Sequence, residues 1–296
     1  MADQAEQLRI LAQSRPDSTS RLAHTRLVAV ASGKGGVGKS NVSLNLALVL
    51  QMSGFRVAII DGDLGFSNLE ILLGLRPQYS LQDVFRGQVD LRKACVTYRD
   101  GLALVSGGSG TVPEDRIGNL YLARFAEQLI DIDGLFDYIF IDFGAGFGRY
   151  ASEMMALCDE MLLVTTPEPT SLTDAYALVK MMMRGGRLPY LRLVVNRVRN
   201  EQQAQETSEK FSAVAAKFLD LKVQALGYVQ DDEAVARAVV RQVPFVVAQP
   251  QAAASRCIRQ LAATGWPSTP REGAKPVLVP PARGIRAFFE RFVARQ

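Results

Sequence analysis

A glycine-rich segment near the start of the sequence has the composition of a phosphate-binding loop. Residues 33–40, GKGGVGKS, lie between the apolar run 27–32 and the amphipathic stretch 42–52. Glycines allow backbone amides to turn around phosphate oxygens, and the N-terminus of the following helix favours negative charge. Lys39 would place a positive charge beside the terminal phosphates, and the Ser40 hydroxyl would bind Mg²⁺. The predicted nucleotide-binding residues of this loop are Gly33, Lys34, Gly35, Gly36, Val37, Gly38, Lys39, Ser40 and Asn41.

Acidic residues follow two further apolar runs. Asp61 and Asp63 stand at the end of the run 56–61, and their spacing of two directs both carboxylates to the same side of an extended chain. Asp142 ends another such run and precedes Gly144 in a glycine-rich turn. The three cysteines lie far apart in the sequence and there is a single histidine. Any metal site therefore has to be built from oxygen ligands.

The elements that position these residues alternate between strands and helices. Short runs rich in β-branched residues predict buried strands at 27–32, 56–61, 102–106, 137–142, 160–166, 191–196 and 225–229. Amphipathic stretches predict helices at 42–52, 120–132, 171–183 and 201–219. Several of the runs are apolar throughout, which is typical of a parallel sheet covered on both faces. The alternation predicts a doubly wound α/β domain over residues 25–263, with a mostly parallel sheet and helices on both faces.

The lysine at position 34 distinguishes this loop from other phosphate-binding loops. Residues 34–40, KGGVGKS, resemble the deviant Walker A motif of the MinD/ParA family of P-loop ATPases. The resemblance continues in residues 61–68, DGDLGFSN, which are similar to the first switch of that family, and in residues 142–146, DFGAG, which are similar to the second. Residues 166–175, TPEPTSLTDA, resemble its strand-to-helix segment at the dimer interface, although their Thr and Asp side chains could equally cap a helix.

The resemblance implies a MinD-like P-loop NTPase fold, ATP and Mg²⁺ as cofactors, and a role for each motif residue. Asp63 would orient the attacking water, and the Gly144 amide would contact the γ-phosphate. Lys34 would cross to the nucleotide of a second subunit, so that hydrolysis requires an ATP-bound homodimer and the enzyme acts as a slow switch. The implied catalytic residues are Lys34, Lys39 and Asp63, and the implied magnesium residues are Ser40, Asp61 and Asp142.

Two later segments bear on the choice of base. Asn196 is followed by Arg197 and not by the lysine of the guanine-specific Asn-Lys-x-Asp motif, which favours adenine. In the family that the chain resembles, an asparagine amide and a Pro-x-Asp-like loop frame the base. The matching loop here consists of Gln230, Asp231 and Asp232, with Gln230 in place of the proline. Gln230 would keep the role of that position by contributing its backbone groups to the base pocket.

The N-terminal residues indicate a branch of the family. Residues 3–9, DQAEQLR, resemble the DQAxxLR motif of its flagellar-number regulators, FlhG or FleN. In that branch the N-terminal helix docks on the signal-recognition-type GTPase FlhF and stimulates its hydrolysis. The resemblance implies contacts from Asp3, Gln4, Leu8 and Arg9, with Gln4 as the activating residue, because a neutral amide can orient a water molecule. An ordinary exposed polar helix would have the same composition.

The C-terminal residues form a second distinctive segment. A linker rich in Pro and Gly at 264–283 leads into residues 284–296, GIRAFFERFVARQ. The apolar positions of this segment fall on one helical arc flanked by arginines, which predicts a basic amphipathic helix for anionic membrane lipids. Packing of its phenylalanines on the domain itself is the alternative. The predicted membrane-contact residues are Ile285, Phe288, Phe289, Phe292 and Val293.

Composition and charge limit the classes of function. No apolar run reaches the ~18 residues of a transmembrane candidate, and the N-terminus lacks the features of a signal peptide. We therefore expect a cytoplasmic protein that attaches reversibly to the inner face of the membrane. The formal net charge is +4, and the six basic and two acidic residues of 271–296 account for all of it. A neutral body argues against a broadly basic DNA-binding domain, although it leaves a local patch open.

The predicted organisation has four parts: a GTPase-activating segment (1–24), an ATPase domain (25–263), the linker, and the membrane helix. The predicted function is an ATP-dependent dimerising switch that regulates flagellar number and placement. The alternatives are a MinD-type division-site regulator and a ParA-type DNA-segregation ATPase. An iron–sulfur carrier would need a C-x-x-C pair, which the sequence lacks. A non-hydrolysing adaptor would bind ATP without turnover. A flagellar transcription regulator or a rotor protein would be a further partner.

Overall fold

The computed structural model describes residues 25–64, 67–99, 101–108, 119–145 and 148–266. Residues 65–66 and 146 of the two predicted switch segments lie outside these ranges, and so do three further predictions. They are the FlhF-activating segment with Asp3, Gln4, Leu8 and Arg9, the membrane helix with Ile285, Phe288, Phe289, Phe292 and Val293, and all but the first three residues of the linker.

The described residues form eight strands and eleven helices. The strands are β1 (Arg26–Ala31), β2 (Val57–Asp61), β3 (Val96–Tyr98), β4 (Leu102–Val105), β5 (Tyr138–Asp142), β6 (Glu160–Thr165), β7 (Tyr190–Val198) and β8 (Gln224–Gln230). The helices are α1 (Lys39–Met52), α2 (Leu69–Leu73), α3 (Leu81–Phe85), α4 (Leu91–Ala94), α5 (Asn119–Ile130), α6 (Arg149–Leu157), α7 (Pro169–Arg184), α8 (Glu201–Leu219), α9 (Glu233–Val240), α10 (Phe245–Ala248) and α11 (Ala253–Gly265).

All eight strands of the described residues belong to one sheet in the order β3-β4-β2-β5-β1-β6-β7-β8. Every neighbouring pair is parallel except β3 with β4. The chain moves to one side of β1 with β2 and to the other with β6 and β7. The carboxyl end of β1 is therefore the switch point at which open α/β sheets place their ligands.

Each face of the sheet carries its own hydrophobic core. Along β1, Leu27, Ala29 and Ala31 belong to one core, and Val28 and Val30 belong to the other. Helices α3 to α8 contribute to the first core, and helices α1, α2, α9, α10 and α11 contribute to the second. Because β1 is covered on both faces, its sequence is apolar without alternation. The predicted doubly wound α/β fold is confirmed.

One strand of the sheet was not predicted. β3 has only three residues and pairs antiparallel with β4, from Val96 opposite Leu104 to Tyr98 opposite Leu102. A three-residue edge strand is too short to produce a periodic pattern, and its first two residues are only half-buried. It follows α4 directly, so its position depends on packing and not on a local turn signal.

A buried ionic cluster ties the amino ends of three strands together. Glu160, at the start of β6, pairs with Arg26 at the start of β1 and with Nε of Arg192 in β7 at 3.1 Å. Nη1 of Arg192 also donates to the carbonyl oxygen of Gly265 at 2.8 Å, and its guanidinium lies 4.8 Å from the ring of Trp266. The end of α11 is thereby held at the amino end of the sheet, opposite the switch point.

Candidate nucleotide-binding site

The loop between β1 and α1 is shaped by two glycines in the left-handed region. Gly36 has φ of 78° and Gly38 has φ of 86°, a conformation that residues with a Cβ rarely adopt. A Cβ on Gly36 would have no neighbour within 4 Å. Gly38 is the N-cap of α1, and as a glycine it has no side chain that could cap the first amides of the helix. The first amides of α1 are thus available to an anion at the positive end of the helix.

Gly33, the first residue of the motif, is required by packing. A Cβ at this position would lie 2.1 Å from the carbonyl carbon of Asp174 and 2.5 Å from the backbone nitrogen of Ala175, both in α7. A backbone contact of this kind cannot be relieved by a side-chain rotation. Gly33 therefore sets the distance between the loop and α7.

Lys39 and Asp142 form a buried pair inside the site. Nζ of Lys39 donates to Oδ1 of Asp142 at 2.8 Å, and both side chains are buried. Lys39 is the first residue of α1 and Asp142 is the last residue of β5, so the pair joins the loop to the neighbouring strand. The structure brings these two predicted residues together, with Ser40 next to Lys39 in the first turn of α1.

Asp61 lies directly beside Asp142 in the sheet, and its carboxylate orders the segment after β2. Asp61 pairs in register with Asp142 across β2 and β5. Its Oδ1 accepts from the Asp63 amide at 3.0 Å, and its Oδ2 accepts from the Ser67 hydroxyl at 2.9 Å and from the amide of Leu69 at 3.1 Å. Burial, together with the nearby Asp142 carboxylate, raises the pKa of Asp61 to about 6.

The first and second switch segments meet at Asp63 and Gly144. A Cβ on Gly144 would lie 2.9 Å from Cγ of Asp63 and 3.0 Å from its Oδ2. The Asp63 carboxyl group therefore packs against the backbone that follows β5, and only glycine at position 144 leaves it that room. The predicted water-orienting residue and the predicted γ-phosphate amide are neighbours.

Asn196 supports the loop from β7. Its Nδ2 donates to the carbonyl oxygen of Val37 at 2.7 Å, and a Cβ on Gly38 would lie 2.4 Å from the same nitrogen. The side chain is buried, whereas Arg197 is exposed with φ of 56°. Asn196 was predicted only as a base contact. Its bond to the loop, made across 159 residues of chain, has no signal in the sequence.

The loop after β8 is organised by Asp232. Its Oδ1 accepts from the amide of Ala234 at 2.8 Å and its Oδ2 accepts from the amide of Ala254 at 3.3 Å, so it caps α9 and contacts the start of α11. The hydrogen bond from Ala234 holds the pKa of Asp232 below its usual value. The Asp231 amide donates to the carbonyl of Val198 at 2.9 Å. Gln230, Asp231 and Asp232 therefore lie beside the end of β7.

Lys34 is held by the segment that follows β6. Its Nζ donates to Oε2 of Glu168 at 2.9 Å and to Oγ1 of Thr170 at 3.0 Å. The hydrogen bond from Lys34 lowers the pKa of Glu168, which lies at the surface. The predicted interface segment contained Glu168 and Thr170, but neither was predicted as a partner of Lys34. The sequence carries no sign of that pairing.

This set of residues fits the phosphates of a magnesium-bound nucleotide. The loop offers open space in front of Gly36, α1 offers its N-terminus, and the buried Lys39, paired with Asp142, is followed directly by the Ser40 hydroxyl. No cluster of three His, Cys, Asp or Glu side chains that could hold a metal occurs in the described part of the chain. A magnesium ion here would share its ligands between protein oxygens, phosphate and water.

The chain is similar to a family of P-loop NTPases in its sequence and to a solved member of that family in its fold. A family model described as ParA, NUBPL iron-transfer P-loop NTPase, matches residues 23–264. The antiactivator FleN of Pseudomonas aeruginosa is 36% identical over 82% of this chain and 87% of its own length. The flagellum site-determining protein YlxH of Helicobacter pylori is 31% identical over 91% of this chain and 90% of its own. The septum site-determining protein MinD of Pyrococcus horikoshii, solved with Mg-ADP, has a TM-score of 0.64 and 25% identity, and the match covers 80% of this chain and 94% of that one.

Proposed function

Because this chain belongs to the ParA/MinD family of P-loop NTPases, we propose that it is an ATP-dependent dimerising switch that regulates the number and placement of flagella. The observation that carries the proposal is the loop 33–40 with its buried pair of Lys39 and Asp142, in a chain similar to FleN and YlxH. Members of this family are ATPases, and we expect the switch to hydrolyse ATP to ADP and phosphate.

The phosphates bind at the loop through backbone and charge. The amides around Gly36 and Gly38 donate to phosphate oxygens, and Lys39 moves its charge from Asp142 to the terminal phosphates. A bound magnesium ion would supply positive charge against the negative charge of the phosphates. Ser40 and Asp142 would hold it, Ser40 directly and Asp142 through water. Asp61 orders the first switch around this position.

Asp63 positions the attacking water. Its carboxyl group lies against Gly144, and Ala145, the next residue, approaches Gly35 of the loop. A carboxylate there can accept a hydrogen bond from water and orient it in line with the terminal phosphate. Because phosphoryl transfer depends on positioning and charge neutralisation, a small displacement of Asp63 is enough to slow it.

Lys34 would complete the site of a second subunit. In the described chain it is held by Glu168 and Thr170 at the exposed start of α7. We propose that formation of the ATP-bound homodimer releases it to the partner's phosphates. Hydrolysis then depends on dimerisation, as expected for a switch with slow turnover.

The terminal segments would connect the switch to its partners. The motif 3–9, with Asp3, Gln4, Leu8 and Arg9, would dock on FlhF and stimulate its GTPase activity. The helix 284–296 would attach the dimer to the inner face of the cytoplasmic membrane, because two tails on one dimer bind with a higher effective concentration than one. None of the helices in the described ranges is long and apolar enough to cross a bilayer.

A MinD-type role is the second candidate, because a solved MinD shares the fold with 25% identity. The two roles differ in their dependence on FlhF. The test is the GTPase rate of FlhF with the full-length wild-type chain, with Gln4→Ala, and with Gln7→Ala as a matched control in the same segment. Stimulation by the wild type and by Gln7→Ala, and its loss in Gln4→Ala, supports the flagellar role. No stimulation by the wild type favours the MinD-type role.

A further inference from the structure

A basic surface lies at one end of the domain, formed by the end of α7, the second half of α8 and the segments that follow them. Residues 180–190 and 210–222 contain six basic residues and one acidic residue. The basic residues are Lys180, Arg184, Arg187, Lys210, Lys217 and Lys222, and the acidic residue is Asp220. Helices α7 and α8 pack against each other. Although the domain is close to neutral as a whole, positive charge is concentrated here. We call residues 180–190 and 210–222 the α7–α8 basic surface.

An aromatic side chain protrudes from this surface. Phe218, in the last turn of α8, is 63% exposed, and Nζ of Lys217 lies 5.3 Å from its ring centroid. One turn earlier on α8, Val214 is also exposed. An exposed phenylalanine beside a lysine suits the boundary between lipid head groups and acyl chains.

A cavity lies between the end of α7 and the segment that follows α8, and its lining includes Leu221, three residues after Phe218. It has a volume of about 330 Å³, and its apolar lining residues include Met183, Leu188, Leu191 and Leu221. Arg187 and Lys222 contribute to its lining as well. The combination of an apolar wall and cationic groups matches a molecule with a hydrocarbon part and an anionic head.

The surface lies at the end of the sheet where the chain leaves the described residues. Tyr190 lines the cavity and begins β7, and the guanidinium of Arg192 lies 5.5 Å from the Tyr190 ring and 4.8 Å from the ring of Trp266. Trp266 is the third residue of the predicted linker, which leads to the predicted membrane helix. The cavity and the start of the linker therefore share the end of the sheet opposite the nucleotide loop.

We infer that the α7–α8 basic surface is a second membrane contact that binds anionic phospholipid. Phe218 lies at the boundary between lipid head groups and acyl chains, and the cavity accepts part of a lipid molecule. The inference rests on the proposed function for its setting, since it adds to the attachment by residues 284–296. Nucleic acid would also be attracted by the charge, but the apolar cavity and the exposed phenylalanine have no use on a phosphate backbone.

The experiment measures sedimentation of the full-length chain with vesicles of phosphatidylcholine alone and of phosphatidylcholine with phosphatidylglycerol. The variants are Phe218→Ser and the double change Lys217→Glu with Lys222→Glu. Val240→Ser, at an 85% exposed apolar position on α9, is the matched control. Each basic residue near an anionic surface contributes measurably to binding, so the double change is expected to weaken binding to anionic vesicles about tenfold or more. Phe218→Ser should weaken it less, and the control should bind as the wild type.

A fourth variant, Phe288→Asp with Phe289→Asp, separates this inference from the proposed terminal helix. If it binds as the wild type while the Lys217 and Lys222 variant does not, the terminal-helix attachment fails and the second contact stands. Wild-type affinity of the double charge reversal for anionic vesicles overturns the inference, whatever the terminal variant does. Loss of duplex DNA binding in that double variant, with vesicle binding unchanged, overturns it in favour of nucleic acid.

Discussion

Nζ of Lys34 lies 2.9 Å from Oε2 of Glu168, so the lysine that the family resemblance assigns to a partner's nucleotide is bound within its own chain. The two residues are 134 positions apart, and the contact joins the phosphate loop to the start of α7. In the proposed switch this bond has to break before Lys34 can reach a second subunit.

Replacement of Glu168 tests whether this contact opposes dimerisation. Glu168→Gln removes the charge that holds Lys34, so dimers should form at a lower protein concentration with a non-hydrolysable ATP analogue. Because the pair is exposed, the shift should be modest. Analytical ultracentrifugation measures it, with Glu206→Gln on α8 as an exposed glutamate control. Weaker dimerisation of Glu168→Gln would show that Glu168 stabilises the dimer instead.

Gly144→Ala should slow hydrolysis without abolishing nucleotide binding. The new Cβ would meet the Asp63 carboxyl group at 2.9 to 3.1 Å, so Asp63 has to move. A displacement of about 1 Å in a positioning group costs roughly 10²-fold in rate. Phosphate release and binding of a fluorescent ATP analogue measure the two effects separately. Gly185→Ala, which is outside the site and whose Cβ would come no closer than 3.3 Å to Met182, is the control. An unchanged rate in Gly144→Ala would remove Asp63 from its proposed role.

Asn196→Ala should weaken both the loop and the fold. The substitution leaves the buried carbonyl of Val37 without the amide that now donates to it at 2.7 Å. An unsatisfied buried acceptor costs about 1–3 kcal/mol of unfolding free energy. Urea denaturation gives that value, and titration with ATP gives the change in affinity. Arg197→Ala, one residue away and exposed, should leave the stability unchanged. Equal stability of the two variants would contradict a supporting role for Asn196.

Glu160→Gln should be strongly destabilising and have no direct effect on the nucleotide site. It leaves Arg26 and Arg192 buried without their carboxylate partner, and breaking a buried ion pair on one side costs about 3–5 kcal/mol. Glu233→Gln removes the exposed pair with Arg237 and should cost no more than about 1 kcal/mol. Similar denaturation midpoints for the two variants would show that the buried cluster contributes little.

Local pattern was sufficient to predict the central sheet. β1, β2, β5 and β6 are buried along their whole length, so their apolar runs identify them. The antiparallel strand β3 is three residues long and carries no such pattern. Its place depends on the edge of β4, which only the folded sheet provides.

Site residues could be predicted where a single segment of the sequence contains the whole motif that defines their role. The loop 33–40 and Asp142 are of this kind, and the structure brings Lys39 and Asp142 together. The contacts from Asn196 to Val37 and from Glu168 to Lys34 join segments more than 130 residues apart. The requirement for glycine at position 33 also comes from a distant segment, because a Cβ there would collide with the backbone of Asp174. No spacing rule in the sequence encodes these contacts.

In the proposed switch, ATP drives dimerisation and Asp63 enables the hydrolysis that reverses it. Light scattering of the full-length chain after addition of Mg-ATP, with phosphate release followed in parallel, tests this most directly. The wild type should form dimers that return to monomers as phosphate appears, and Asp63→Ala should remain dimeric with little phosphate released. Phosphate release at the wild-type rate by Asp63→Ala, or a wild type that stays monomeric with ATP, would contradict the account.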